Sequence, residues 1–173
     1  MNKKIKIILL IIFALVMILI IKFVPSPIFK NEVLKEFSRN QTNFEIAYES
    51  NNGSLPPEYF RQNLLTISTD KNGVISGKYQ IKDYKKVLEE KPIAVSRDQL
   101  QRLIKTASQI NSEANIDVNS GCTGGSTSSL KISQANKVLL KTSAYNCAGR
   151  STNDSLERFS AEVEGTLPNH GFN

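Results

Sequence analysis

The strongest constraint on this chain is a unit that occurs twice: two short segments joined by a turn, then an amphipathic helix. In the first copy, Asn63 to Thr69 and Val74 to Ile81 flank Asp70-Lys71-Asn72-Gly73. Asn-Gly supplies the positive φ angles that tight hairpin turns require. Ser96 then opens a helix. Ser96-Arg97-Asp98-Gln99 is a capping-box pattern, and Val95 and Leu100 occupy the staple positions around it. Leu100, Leu103, Ile104, Ala107 and Ile110 fall on one stripe of a helix over 96–111. In the second copy, Ser129 to Ser133 and Lys137 to Thr142 surround Gln134-Ala135-Asn136. A helix over 153–167 follows, with Asn153 or Asp154 as cap, Glu157 in its first turn, and Leu156, Phe159, Val163 and Leu167 as its stripe; Pro168 ends it. Leu65-Thr66-Ile67 and Leu130-Lys131-Ile132 hold matching places in the two copies.

Two amphipathic helices need an apolar sheet face to cover. The pattern therefore predicts an α+β fold: a mainly antiparallel sheet of hairpins with both helices on one face. Phe44, Ile46 and Tyr48 alternate with Glu45, Ala47 and Glu49, which adds a half-buried strand. Lys91 to Val95 supplies a short extended piece, with Pro92 favouring a sheet edge.

Ahead of this lies a segment of different character. Ile7 to Ile21 is an unbroken apolar run of 15 residues. With Ile5, Phe23 and Val24 it reaches about 20, the length that spans a hydrocarbon core of about 30 Å as a helix. The run ends in Lys22-Phe23-Val24-Pro25, with no small-residue cleavage pattern and no following cysteine for lipid attachment. An uncleaved transmembrane signal anchor over residues 1–24 is the expectation, with a cleaved signal peptide as its rival. Lys3, Lys4 and Lys6 precede the run without an acid to offset them. The N-terminus is thus expected in the cytoplasm, residues 5–24 in the inner (cytoplasmic) membrane, and the rest outside. Residues 25–42 read as a tether, 43–168 as the exported domain, and 169–173 as a tail.

The whole chain of 173 residues carries 22 Lys+Arg against 16 Asp+Glu, a formal charge of +6. Four lysines and no acids fall in the first 24 residues, so the remainder holds 18 basic and 16 acidic side chains. Most of the excess belongs to the N-terminal topology signal. The exported part has little electrostatic case for a nucleic-acid partner, and none is expected.

Cys122 and Cys147 are the two cysteines. Pairing about a two-residue loop at Gln134-Ala135 places them opposite each other at the open end of the second hairpin; a loop at Ala135-Asn136 moves the match by two residues. Outside the cytoplasm a structural disulfide is the expected outcome. Ser120 to Ser129, with Gly121, Gly124 and Gly125, lacks the Gly-Lys-Ser/Thr ending of a phosphate loop and leads into a strand, so it reads as a linker. His170 is the single histidine, which removes multi-histidine metal sites. No catalytic residue, metal or cofactor is assigned. Glu89-Glu90 and Glu162-Glu164 read as ordinary polar faces.

Tyr48, Tyr59, Phe60, Tyr79, Tyr84 and Tyr145 read mainly as cover for the sheet. Tyr59 and Phe60, beside Pro56 and Pro57, are the best candidates for an exposed patch that recognises a partner. The segment Tyr48 to Tyr59, then Leu65-Thr66-Ile67 with Asp70-Lys71-Asn72-Gly73, resembles a group of small, uncharacterised exported bacterial proteins and lipoproteins. Val95-Ser96 with Leu100 and Leu103, and Ser129-Leu130 with Ile132, are similar to that group too. The resemblance covers roughly residues 45–167. It implies a compact α+β domain of the cell envelope and carries no catalytic residues. The expected function is a membrane-anchored, non-catalytic accessory domain that binds another envelope protein. An envelope enzyme using carboxylates and the Gly-rich segment near Cys122, and a sensor of small ligands or lipids, are the alternatives.

Overall fold

The computed structural model describes residues 41–53, 55–111, 124–147 and 150–166. Within them the order is β1 (Phe44–Asn51), β2 (Gln62–Thr69), β3 (Ile75–Lys82), β4 (Val87–Ile93), α1 (Arg97–Ala107), β5 (Ser126–Gln134), β6 (Lys137–Cys147), β7 (Arg150–Ser151) and α2 (Asp154–Thr166). The strands form one sheet in the order β4-β3-β2-β1-β5-β6-β7, antiparallel throughout. Both helices pack over one face of it, as the paired stripes predict.

The first strand in the chain lies at the centre. It joins the two hairpin–helix units, and its partners show that they are equivalent. Tyr48 faces Leu65 on one side and Leu130 on the other; Ile46 faces Ile67 and Ile132. The matching triplets seen in the sequence thus occupy mirrored places beside β1. These residues are buried, together with Phe44, Tyr79, Leu140 and Ala144 from the sheet. Leu100, Leu103, Ile104 and Ala107 of α1 and Leu156, Phe159 and Val163 of α2 complete a single core. The Tyr48 and Phe159 rings meet at 5.7 Å, tilted by 55°. Between the helices, Arg102 Nε donates to Glu162 Oε1 at 2.8 Å.

The capping box of α1 forms as written: Ser96 Oγ accepts from the Gln99 N–H at 3.2 Å, and Gln99 Oε1 accepts from the Ser96 N–H at 2.8 Å. At α2 the cap is Asn153, whose Oδ1 accepts from the Leu156 N–H at 3.2 Å. The piece containing Pro92 is the edge strand β4, four residues longer at its start than the alternation suggested.

Three expectations are corrected. The first concerns the transmembrane helix placed ahead of the sheet. Among the described residues no helix is long and apolar enough to cross a membrane. The helices α1 and α2 have 11 and 13 residues, and at 1.5 Å per residue they reach only about 17 and 20 Å. The fold class shown is a sheet-rich α+β fold. Residues 1–24 lie outside the described residues, as do most of the tether, Cys122, Leu167, Pro168, His170 and the tail.

The second correction concerns the turns. In the 70–74 loop Gly73 has a positive φ of 77°. Asp70 organises the loop, because its Oδ1 accepts from the Asn72 and Val74 N–H groups at 2.8 and 2.9 Å. The turn with two consecutive left-handed residues is instead Ala135-Asn136, at φ 46° and 67°. The third concerns register. The β5–β6 ladder shifts between Ile132 and Ser133. Leu139 is the extra residue, and the bulge lets both Leu139 and Leu140 pack against the core. Ser126 then pairs with Asn146, so continuing the register sets Cys147 against Gly125 rather than Cys122. Among the described residues no cysteine is free.

Candidate functional site

The inner face of the sheet changes chemistry along its length. One rung across the central strands reads Ile67, Ile46, Ile132 and Leu140; the next reads Leu65, Tyr48, Leu130 and Thr142. The third reads Asn63, Ser50, Ser128 and Ala144. Asn146 and Ser126 lie beyond it, paired with each other. A face covered by helices is ordinarily apolar to its end. Here it becomes polar while still beneath α2, which turns Glu157, Ser160, Ala161 and Glu164 toward it. Their spacing of three, four and seven residues is one helical stripe.

Between these surfaces is a cavity of about 350 Å³, lined by Tyr48, Ser50, Asn63, Ser128, Asn146 and the α2 stripe, with Asn51, Asn52, Arg61, Ser126 and Thr127 around its rim. Tyr48 forms the floor, its hydroxyl donating to Ser160 Oγ at 2.7 Å. Burial pushes the Tyr48 phenol above its ordinary pKa, and the carboxylates of Glu164 and Glu157 push the same way, against hydrogen bonds with Ser160 and Ser128. Asn63 Oδ1 accepts from the Tyr79 hydroxyl at 2.9 Å. Asn51 is occupied by Thr127, through Nδ2 to Oγ1 and through Oδ1, which accepts from the Thr127 N–H at 3.3 Å. Asn146 Oδ1 is buried and accepts from no group among the described residues. Glu157 and Glu164 enter no ion pair among the described residues.

Two rim residues also build the neighbouring surface. Asn52 Nδ2 donates to the Tyr59 carbonyl at 2.8 Å, and its Oδ1 accepts from the Arg61 N–H at 2.8 Å. Arg61 Nη1 donates to the carbonyls of Glu58 and Phe60 at 3.0 and 2.7 Å. Gly53, at φ 89°, sets its α-carbon so close to the Gly125 carbonyl that a β-carbon would stand 2.1 Å from that oxygen. The 52–61 loop is thereby clamped at its base. At its tip Tyr59 is 64% exposed, and Pro56 and Pro57 are exposed beside it. Phe60 stacks on Tyr84 at 4.0 Å and 18°, and Tyr84 is itself 58% exposed. Tyr84 is held by a turn in which Asp83 Oδ1 accepts from the Lys85 and Lys86 N–H groups at 2.7 and 2.8 Å. Those two bonds hold the Asp83 carboxyl below its ordinary pKa.

Of the aromatic residues read as cover, Tyr48 and Tyr79 are buried in the core, whereas Tyr59 and Tyr84 face solvent. The reading of Glu162 as an ordinary polar face residue fits its ion pair with Arg102. Glu164 departs from it by lining the cavity. Glu89 pairs with Lys91 along the edge strand β4, and Glu90 pairs with Lys78 of the neighbouring β3. Sequence reasoning missed the cavity, although its signal is present: Ser50, Asn63, Ser126 and Ser128 continue the inward phase of strands whose other inward residues are apolar. It also missed Tyr84 as the partner of Phe60, since no local spacing links residues 24 apart. Among the described residues no three His, Cys, Asp or Glu side chains are grouped to hold a metal ion. No family model, curated protein or solved structure matches the chain.

Proposed function

We propose that this is a non-catalytic binding module that docks another protein of the cell envelope through Leu55, Pro56, Pro57, Tyr59, Phe60 and Tyr84. The observation that supports it is exposed Tyr84 stacked on half-buried Phe60, beside exposed Tyr59 on a clamped loop. Aromatic side chains dominate the energetics of protein interfaces, and a preformed loop loses little entropy on binding. The apolar residues 5–24 hold the chain at the cytoplasmic membrane with the domain on the far side, as the lysine asymmetry and the resemblance to exported proteins suggest. The chain enters β1 at the end that carries the 70–74 and 135–136 turns; the patch lies at the other end, about 26 Å away for eight residues of strand. An anchored domain would present the patch outward.

A photocrosslinking residue at position 59 or 84 of the full-length chain in membranes tests this reading. A discrete crosslinked species is expected from both positions and from neither Ser76 nor Lys141, and Tyr84→Ala should abolish the product at 59. Recovery of a lone, uncrosslinked monomer from every position would overturn it. Protease digestion of the domain in spheroplasts is expected; full protection would overturn the placement.

The bridge between Cys122 and Cys147 is part of the same proposal, because it would brace the strand end that carries Asn146. Cys147→Ser is expected to lower stability by about 3 kcal/mol for a loop of about 25 residues. An equally stable variant, or two free thiols under non-reducing mass analysis, would refute the bridge.

A further inference from the structure

We infer that the cavity between α2 and the polar end of the sheet is a binding site for a carbohydrate or similar polyhydroxylated molecule. It adjoins the docking patch through Asn52 and Arg61, which also hold the base of the patch loop, but it does not rest on the docking proposal. Its volume of about 350 Å³ lies within the range of small-ligand sites, roughly 300–1,000 Å³. Such sites are usually apolar with a few polar groups. This one is about half polar, with hydroxyls at Ser50, Ser126, Ser128 and Ser160, amides at Asn63 and Asn146, and carboxylates at Glu157 and Glu164.

That wall selects against an apolar ligand, which would leave its polar groups desolvated and unpaired. It also disfavours a single compact cation. Glu157 and Glu164 are seven residues apart on one helix, which separates them by about 10 Å along the axis, too far to converge on one centre. Vicinal hydroxyl groups fit better. Each donates and accepts, and several can engage the wall at once. Acceptors are in surplus among the described residues: Asn146 Oδ1 is buried without a partner there, and both carboxylates are unpaired. Donors are supplied by Asn63 Nδ2, whose companion oxygen is already taken by Tyr79, and by Arg61, whose Nη1 alone is committed to carbonyls. A sugar satisfies both sets, and Asn146 Oδ1 gains a donor that the described residues do not supply.

The test uses the full-length chain, labelled with ¹⁵N, in a zwitterionic detergent that contains no sugar. Neutral, amino and acidic mono- and disaccharides are titrated, with spermidine and inorganic phosphate as comparators. At least one saccharide should produce saturable amide shifts at Ser128, Asn146, Ser160 and Glu164. Glu164→Gln and Asn146→Leu, which remove a carboxylate charge and the unpartnered acceptor respectively, should each weaken it by about tenfold, equivalent to about 1.4 kcal/mol. Both variants should keep the native spectrum elsewhere, and Tyr59→Ser should leave saccharide binding unchanged. Binding of spermidine or phosphate alone would overturn the inference. So would saccharide shifts outside the cavity, or no saturable shift with any sugar.

Discussion

Asn153 joins three parts of the fold through one side chain, and its replacement has a calculable cost. The residue is 6% exposed. Its Oδ1 caps α2 and also accepts from the Ser155 hydroxyl at 2.6 Å; its Nδ2 donates to the Asn111 carbonyl at 3.1 Å and to Thr142 Oγ1 at 3.2 Å. Loss of the cap in Asn153→Ala costs about 1 kcal/mol. The Thr142 hydroxyl is buried on β6 and loses its donor, which adds about 1 kcal/mol or more. The Asn111 carbonyl is at an exposed residue and recovers water. The expected loss is therefore about 2–3 kcal/mol, read as a fall in the urea midpoint with an unchanged slope. Asn153→Asp keeps the acceptor and loses the donors, so it should cost less than alanine. The double variant Asn153→Ala/Thr142→Val removes the orphaned hydroxyl and should be less unstable than the sum of its singles. A loss below about 0.5 kcal/mol for Asn153→Ala, or an aspartate worse than the alanine, would refute the reasoning.

Tyr48 predicts a pH dependence. Its folded pKa is raised from 10.0, mainly by burial, so the folded state holds the proton more tightly than the unfolded chain. The stability this provides is complete below pH 10 and declines as pH rises from there through the folded pKa. Tyr48→Phe should show a shallower alkaline loss of stability and, at neutral pH, a decrease of about 1 kcal/mol from the missing bond to Ser160; an unchanged alkaline slope in urea titrations at pH 9–11.5 would contradict it. Ala135, at φ 46°, holds a conformation that costs a residue with a β-carbon about 1 kcal/mol. Ala135→Gly should raise the melting temperature slightly after the added unfolded-state entropy is subtracted, and a fall would show that the strain is not there.

The elements legible in the sequence are those set by local chemistry. Ser96 with Gln99 specifies a cap within four residues. The Leu-x-Ile triplets at 65–67 and 130–132 specify a face by alternation alone. What was illegible depends on pairing between distant segments. The Asn72-Gly73 pair can form a tight hairpin turn, but the Asp70 carboxylate captures two backbone N–H groups and closes a longer loop. Leu139-Leu140 breaks the period of two. Whether one leucine faces outward or the strand bulges is decided by the core that receives them, and here the core holds both. The position of the turn at Ala135-Asn136 and that inserted residue together move the cross-strand neighbour of Cys147 from position 122 to 125. The cavity escaped for a related reason. Serine and asparagine near strand ends ordinarily signal fraying, and only the position of α2 above them makes them walls.

The placement of those polar residues follows from the same architecture. The strand β1 is hydrogen-bonded on both sides, so neither of its ends can shift without displacing both hairpin–helix units. At the entry end, Phe44 and Ile46 are buried, and Asn43 is tied to both turns, donating to the Asp70 carbonyl at 3.1 Å and accepting from the Ala135 N–H at 2.8 Å. Packing and backbone bonds consolidate that end. At the exit end the strand finishes in Ser50-Asn51 and the chain continues as Asn52-Gly53. Its side chains are spent on Thr127, on the 52–61 loop and on the cavity, rather than on the core. If the two binding proposals hold, stability and recognition are divided along one eight-residue strand. Substitutions at Ile46 should therefore lower stability, whereas substitutions at Ser50 should alter what the cavity holds.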